Sequence, residues 1–111
     1  MTNLASQTCV PCTAGTPPMD ADAVRAALAG LPLWTLSDDG RAILRRVEVK
    51  GFVRAVQLAN VAAWLGEEQG HHPDVRFGWG YCEVAFTTHA AGGITRNDLI
   101  CAARLDALLA M

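Results

Sequence analysis

The chain has three histidines, and their positions make them the first candidates for chemistry. His71 and His72 are adjacent, at the end of a helical pattern and the start of a strand pattern, whereas His89 ends the next strand pattern. If the two strands pair in antiparallel fashion about Gly80, residues equidistant from the turn face each other. We therefore expect this hairpin to bring the three imidazoles together.

A cluster of imidazoles supports three interpretations. Acid-base catalysis is the first, because imidazole has an ordinary pKa of about 6.5 and exchanges protons near neutral pH. Metal ligation is the second, but adjacent side chains diverge in extended structure, so His71-His72 is a poor chelating pair. In the third, His71-His72-Pro73 only ends a helix, with its rings hydrogen-bonded to the last carbonyl groups. The residues by themselves leave all three open.

The first half of the chain predicts the elements that lead up to these histidines. Residues 20–30 have the N-cap and spacing of a short helix, and residues 33–36 and 42–49 predict a hairpin, although Arg45 interrupts its apolar alternation. A helical pattern then runs from residue 52 to 69, before the glycine that stops it.

The second half repeats the strand-strand-helix order. Residues 75–79 and 82–86 alternate apolar and other side chains, as two antiparallel strands do. Thr95 and Asp98 have the spacing of a capping box at the start of a last helix, 96–110. The order α-β-β-α-β-β-α predicts an α+β fold, with an antiparallel sheet covered by helices on one face.

Length and composition limit the domain organisation and the partners. A chain of 111 residues is the size of one domain. Residues 1–18 are rich in Thr, Ser, Gly and Pro and predict a tail that is flexible or lies along the surface, so the folded domain is expected to span 19–111. Hydrophobic residues make up 51% and charged residues 18%, which excludes a disordered chain, and the net charge of -2 gives no general field for binding nucleic acid.

The expected compartment is a reducing cytoplasm, without membrane contact. The amino terminus lacks the charged and apolar regions of a secretory signal, and no stretch is long and apolar enough to span a bilayer. Among the four cysteines, Cys9 and Cys12 have the spacing of a redox or zinc site, but no second pair completes a four-sulfur zinc site, and Pro11 is compatible with a simple turn. Cys82 and Cys101 fall on apolar faces, where inert buried thiols are ordinary.

One set of residues recurs at characteristic spacings: Glu67, His71-His72-Pro73, Trp79, His89 and Asp98. Two further motifs lie upstream, Leu31-Pro32-Leu33-Trp34 and Lys50-Gly51-Phe52. Together they resemble the signature of the pterin-4a-carbinolamine dehydratases. The resemblance covers residues 17–109, whereas the cysteine-containing tail lies outside it.

The resemblance implies a fold and a reaction. It implies four antiparallel strands with three helices on one face, assembled into dimers or tetramers. The implied reaction removes water from 4a-hydroxytetrahydropterin, the product of aromatic amino acid hydroxylases, to give quinonoid dihydropterin. It requires proton transfer but neither a metal nor another cofactor.

The resemblance also implies roles for individual residues. His71 and His89 would form the catalytic acid-base pair, and Asp98 would orient one of the histidines. The substrate-binding set would comprise His72, Pro73, Trp79, Asp98 and Glu67. Trp79 has a second interpretation, packing in the core of an alternating strand, and Glu67 has one as a solvated helix-end carboxylate.

Two further expectations concern assembly and the alternative function. The last helix is apolar almost all round and Trp64 lies on the polar stripe of the long helix, so we expect a homo-oligomer. The alternative to the enzyme is a non-catalytic scaffold of the same fold, acting as an assembly factor or dimerisation partner. Such relatives are expected to lose catalytic histidines, whereas this chain keeps all three and Asp98.

Overall fold

The computed structural model describes residues 3–13 and 15–111 and confirms the α+β class. Three helices and four strands follow one another in the predicted order, with 3-10 turns at Leu4–Ser6 and His89–Ala91. The elements are α1 (Ala21–Leu28), β1 (Thr35–Leu36), β2 (Ile43–Glu48), α2 (Val53–Gln69), β3 (Asp74–Gly78), β4 (Tyr81–Phe86) and α3 (Arg96–Leu109).

The four strands form one antiparallel sheet in the order β1-β2-β4-β3. In the central strand β4, Cys82, Val84 and Phe86 are buried and alternate with less buried residues, as expected for a sheet with one covered face. The helices cover that face, and the core lies between the two layers.

Arg45 interrupts the alternation of β2 because it points into the covered face and finds a partner there. Its guanidinium Nη1 lies 2.5 Å from Asp106 Oδ1 of α3, and the indole Nε1 of Trp34 donates to the same oxygen at 2.9 Å. Trp34 itself is 3% exposed. One carboxylate therefore joins β2, α3 and the residue before β1, and so satisfies the polar groups that a helix-covered sheet buries.

Two strand predictions were wrong in extent. The stretch 33–36 forms a strand only at Thr35–Leu36, because the Trp34 amide donates to the Leu31 carbonyl in a turn. The other error concerns Trp79, which was expected to alternate inward. The strand β3 ends at Gly78, so Trp79 occupies the turn before β4 and is 75% exposed. Its interpretation as a core residue is therefore wrong.

The end of α2 turns the chain directly into the His-His-Pro sequence. Gly70 adopts the left-handed conformation with φ of 64°, and the His71 amide donates to the Gly66 carbonyl at 3.0 Å. This is the glycine stop that the sequence predicted. It reverses the chain, so that residues 71–73 lie back against the last turns of α2.

The amino-terminal segment packs on α3. Both amide atoms of Asn97 bind the backbone of Val10: Oδ1 accepts from its N–H at 3.0 Å, and Nδ2 donates to its carbonyl. Arg104 Nε donates to the Gln7 carbonyl, and Gln69 Oε1 accepts from the Cys9 amide at 2.9 Å. The flexibility and the domain boundary assigned to residues 1–18 stay predictions, but the described residues of the segment have specific partners.

Gly66 is expected to be the position in α2 that least tolerates a side chain. A Cβ atom there would lie 2.4 Å from Pro73 Cδ and 3.2 Å from the His71 carbonyl oxygen. In an ordinary helix interior, replacing Gly by Ala stabilises by about 1 kcal/mol. Here overpacking costs about 1–3 kcal/mol, so we expect Gly66→Ala to lower the free energy of unfolding measured by urea denaturation.

Ala63, which is exposed on the same helix, provides the matched control. Ala63→Gly should also lower the free energy of unfolding, by about 1 kcal/mol, because the ordinary helix preference for Ala applies there. A stabilised Gly66→Ala protein would show that residues 71–73 are not held against α2.

Candidate active site

The three histidines line one cavity of about 480 Å³. His71 and His72 enter it from the turn after α2, and His89 enters it from the 3-10 turn that follows β4. The expectation that the β3–β4 hairpin brings these residues to one place is therefore confirmed. In detail, His89 does not end a strand: β4 ends at Phe86, and the chain loops through Thr88 before His89.

His71 is the most enclosed of the three. Its side chain is 11% exposed, and Nε2 lies 2.5 Å from Asp98 Oδ1. The imidazole is nearly parallel to the Phe86 ring, with centroids 6.2 Å apart and an interplanar angle of 12°. A carboxylate on one side and an aromatic ring on the other restrict the imidazole to a single orientation.

Asp98 is completely buried, and hydrogen bonds satisfy its carboxylate. Besides His71, its partners are the Thr88 hydroxyl and the Thr95 amide, which both donate to Oδ2 at 2.8 Å. The bond from Thr95 forms the acidic half of the predicted capping box. Asp98 thus caps α3 and binds His71 at the same time, as the sequence allowed.

These contacts determine the pKa of His71. Burial lowers it, because the charged imidazolium loses solvation, but the hydrogen bond and negative charge of Asp98 act in the opposite direction, with a smaller contribution from Cys9. The net effect raises the pKa of His71 above its usual value of 6.5. The contact with Asp98 therefore lets His71 keep its proton to a higher pH than an unperturbed histidine does.

His72 occupies a different environment. Its Nε2 lies 2.8 Å from Glu67 Oε1, and the two side chains are 67% and 82% exposed. An ion pair this open to water contributes little to stability. Glu67 is placed to orient the His72 ring from outside, and it does not line the cavity itself.

The cavity is built from some of the predicted residues and leaves out others. His71, His72, Pro73 and His89 line it, and Asp98 lies behind His71. Trp79 does not belong to this group, because it lies in the turn at the opposite end of β3 from the histidines.

Several functional candidates carried no signal that the sequence reasoning used. Residues 9–12 form one wall of the cavity, whereas their composition predicted only a tail that is flexible or lies along the surface. Asn97 holds that wall, and Thr88 supports Asp98. The signal available in the sequence was the position of Asn97 within an apolar helix pattern, because an amide that is buried there needs hydrogen-bond partners.

The chemistry available here is proton transfer between two separate positions. One imidazole is enclosed and paired with a carboxylate, and a second, at His89, is exposed at the cavity wall. Within residues 3–13 and 15–111, no group of three or more His, Cys, Asp or Glu side chains is arranged to hold a metal ion. No helix of these described residues is long and apolar enough to cross a membrane.

Comparison with known proteins found a matching family model and many similar relatives. Residues 17–108 match the family model described as pterin 4 alpha carbinolamine dehydratase. A relative from Paracoccus denitrificans, named "Putative pterin-4-alpha-carbinolamine dehydratase", is 57% identical over 93 residues, which cover 84% of this chain and 87% of the relative. A relative of the same name from Halorhodospira halophila is 41% identical, covering 96% of this chain and 97% of its own.

A solved structure shows the same architecture. The crystal structure of transcriptional coactivator/pterin dehydratase from Brucella melitensis superposes with a TM-score of 0.75 at 27% sequence identity, covering 82% of this chain and 97% of that one. The family match spans both halves of the sheet and all three histidines. Because the family model matches residues 17–108 and the relative from Paracoccus denitrificans is 57% identical, the chain belongs to the pterin-4a-carbinolamine dehydratase family.

Proposed function

We propose that this protein dehydrates 4a-hydroxytetrahydropterin to quinonoid dihydropterin, as the hydro-lyase family to which it belongs implies. The observation that carries the proposal is the enclosed His71 bound to the buried Asp98 in the wall of a cavity that His89 also lines. Such an arrangement supplies a proton donor and a second imidazole, the two groups that this elimination requires.

The reaction consists of two coupled proton movements. An acid protonates the 4a-hydroxyl group, so that the C4a–O bond breaks and water leaves. A base removes the proton on N5, and the electrons of that N–H bond form the C4a=N5 double bond. One proton enters and one leaves, so the substrate loses one water molecule and no electrons are exchanged with an outside partner.

His71 is the better candidate for the acid. Its raised pKa increases the share of the imidazolium form at a given pH. Since Nε2 is bonded to Asp98, the proton for the hydroxyl would come from Nδ1. Asp98 then acts as a positioning residue that stabilises the imidazolium, and His89 accepts the N5 proton.

The other predicted residues contribute to binding. His72 and Pro73 line the cavity beside His71 and would contact the pterin ring, with Glu67 orienting His72 through the contact at 2.8 Å. Trp79 stays a substrate-binding prediction without support from the cavity of a single chain.

The proposed assembly is a homo-oligomer, and its pathway partner is an aromatic amino acid hydroxylase acting in the cytoplasm. Large apolar side chains remain exposed in one chain, including Trp64 at 55% and Phe77 at 42%. Phe77 lies on the edge strand β3, with its ring centroid 5.9 Å from that of Phe52. Exposed aromatic groups and an open strand edge both favour association.

A scaffold function is the second candidate, because the Brucella melitensis relative is described as a transcriptional coactivator as well as a dehydratase. The intact His71–Asp98 pair favours the enzyme, since binding a protein partner does not require a buried, charge-assisted contact. A stopped assay of carbinolamine disappearance separates the two: a chain that does not accelerate the dehydration is a scaffold.

Substitution of the histidines should separate their roles. We expect His71→Ala and His89→Ala each to lower kcat by about 10²-fold, a typical contribution of a positioned acid or base, and the double variant to be worse than either. His72→Ala should mainly raise KM. Steady-state kinetics on each purified variant measure these effects.

Folding provides the control for these variants, and circular dichroism should show native structure in all of them. If His71→Ala and His89→Ala unfold the protein while kcat per folded molecule is unchanged, the histidines are structural and the catalytic proposal is wrong.

The raised pKa of His71 predicts a pH dependence of stability. A group that binds its proton more tightly when folded stabilises the native state fully below its unfolded pKa of about 6.5, and this contribution disappears as the pH rises through the higher folded pKa. The difference in free energy of unfolding between the wild type and His71→Gln should therefore shrink as the pH increases above about 6.5.

The matched control repeats this comparison in an Asp98→Asn background. There the carboxylate that raises the pKa of His71 is gone, so the shrinkage should be lost. A difference that instead grows with pH in the wild-type background would mean that burial outweighs the pairing with Asp98.

Association should depend on Trp64. We expect light scattering to report an oligomer at micromolar concentration. Trp64→Ala should weaken association more than it lowers the free energy of unfolding, because the Trp64 side chain is 55% exposed in one chain. A wild-type monomer at that concentration would contradict the proposed assembly.

A further inference from the structure

Two thiols meet where the amino-terminal wall of the cavity contacts α3. Cys9 Sγ lies 3.5 Å from Cys101 Sγ, and both cysteines are free thiols. Cys101 is completely buried in α3, whereas Cys9 is partly buried and lines the cavity. A small oxidant that enters the cavity therefore meets Cys9 first, with Cys101 directly behind it.

The surrounding contacts hold Cys9 in this place. Its amide donates to Gln69 Oε1 at 2.9 Å, and both amide atoms of Asn97 clasp the next residue, Val10. Asn97 and Cys101 are four residues apart on α3, so they lie on one face of the helix. The hydrogen bonds from Asn97 to Val10 therefore hold residues 9–12 against the buried thiol of Cys101 as well as against the cavity.

The two thiols differ in acidity, which gives each a separate role. The hydrogen bond from Cys101 lowers the pKa of Cys9, and this outweighs burial, with His71 also favouring the thiolate. The same hydrogen bond and burial raise the pKa of Cys101 far above its usual range. Because the thiolate is the nucleophile, Cys9 is the thiol that reacts first.

We propose that Cys9 and Cys101 form an oxidation site for hydrogen peroxide, at which a disulfide fastens the amino-terminal wall of the cavity to α3. The site is separate from the dehydration chemistry and does not depend on it. Transient disulfides of this kind are compatible with a reducing compartment.

The oxidation proceeds in two balanced steps. The Cys9 thiolate attacks one oxygen of hydrogen peroxide, the O–O bond breaks, and Cys9 sulfenic acid and hydroxide form. The Cys101 sulfur then attacks the Cys9 sulfur, the S–O bond breaks, and the released hydroxide and the Cys101 proton leave as water. Two thiols lose two electrons in total, and one peroxide is reduced to two water molecules.

The geometry favours Cys101 over the other thiols as the second partner. The sulfurs must approach from 3.5 Å to about 2.05 Å, a movement that a short surface segment can make. Cys12 Sγ instead contacts Asn97 Nδ2 at 3.3 Å and Thr95 Oγ1 at 3.9 Å. Cys82 is buried within β4, on a different element.

Peptide mapping of the full chain after treatment with hydrogen peroxide tests the proposal. Trypsin cuts after Arg25, Arg96 and Arg104, so Cys9 and Cys12 share the peptide 1–25, and Cys101 lies in 97–104. Mass spectrometry without reductant should find these two peptides joined, about 2 Da lighter than their sum. Dithiothreitol should separate them again.

Variants assign the linkage to Cys9. The joined peptides should persist in Cys12→Ser and be absent from Cys9→Ser. In Cys101→Ala, Cys9 should instead stop at the sulfenic acid, which dimedone traps. Because Cys9→Ser and Cys12→Ser leave the buried residue of α3 unchanged, they decide the question even if Cys101→Ala does not fold.

Isotope mixing and hydrogen exchange complete the test. In a mixture of ¹⁵N-labelled and unlabelled chains, the joined peptides should carry a single isotope, and the Val10 amide should exchange more slowly after oxidation than before. Joined peptides in Cys9→Ser, or peptides joined between two copies of the chain, would overturn the proposal. So would a treated wild type in which Cys9 is not linked to Cys101, or one in which the Val10 amide exchanges at an unchanged rate.

Discussion

The buried carboxylate of Asp98 is the constraint on which the site depends. A carboxylate with no exposure to water requires hydrogen-bond donors, and an unpaired one would cost several kcal/mol. Its donors come from three different places: Thr95 at the start of α3, Thr88 after β4, and His71 after α2. Satisfying one side chain therefore fixes three segments relative to each other, and two of them carry the cavity histidines.

The same carboxylate divides the histidines into different chemical environments. Burial alone would make His71 a weaker base, but the contact with Asp98 reverses that effect and raises the pKa. His72 forms a similar contact with Glu67 in the open, where water screens the pair. His71 and His72 thus differ in their electrostatic environment because His71 faces the core and His72 faces solvent. This is the divergence of neighbouring side chains that makes His71-His72 a poor chelating pair, and it allows the two to have separate roles.

The sequence predicted the parts of the fold that depend on local periodicity and turn chemistry. The long helix with its stop at Gly70, the capping box at Thr95 and Asp98, and the pairing of β3 with β4 are of this kind. Trp79 was assigned to the strand because the apolar alternation of the sequence continues beyond Gly78, whereas the strand itself ends there. The position of residues 9–12 was not predictable in this way. Their contacts run from backbone atoms to Asn97, which is 87 residues from Val10, and such a contact leaves no periodic pattern in the segment itself.

The amino-terminal segment lies outside the part of the chain that matches the family, so one wall of the cavity can vary independently of the rest. The family match begins at residue 17, and so it includes the histidines and Asp98 but not the wall formed by residues 9–12. The contact between His71 and Asp98 depends on the packing between α2, β4 and α3. A small displacement there would expose the Asp98 carboxylate or leave it without its partner. The wall is tied to α3 chiefly by Asn97 and the Cys9 contact. A change in those few side chains can reshape this wall of the cavity without disturbing the carboxylate that orients His71.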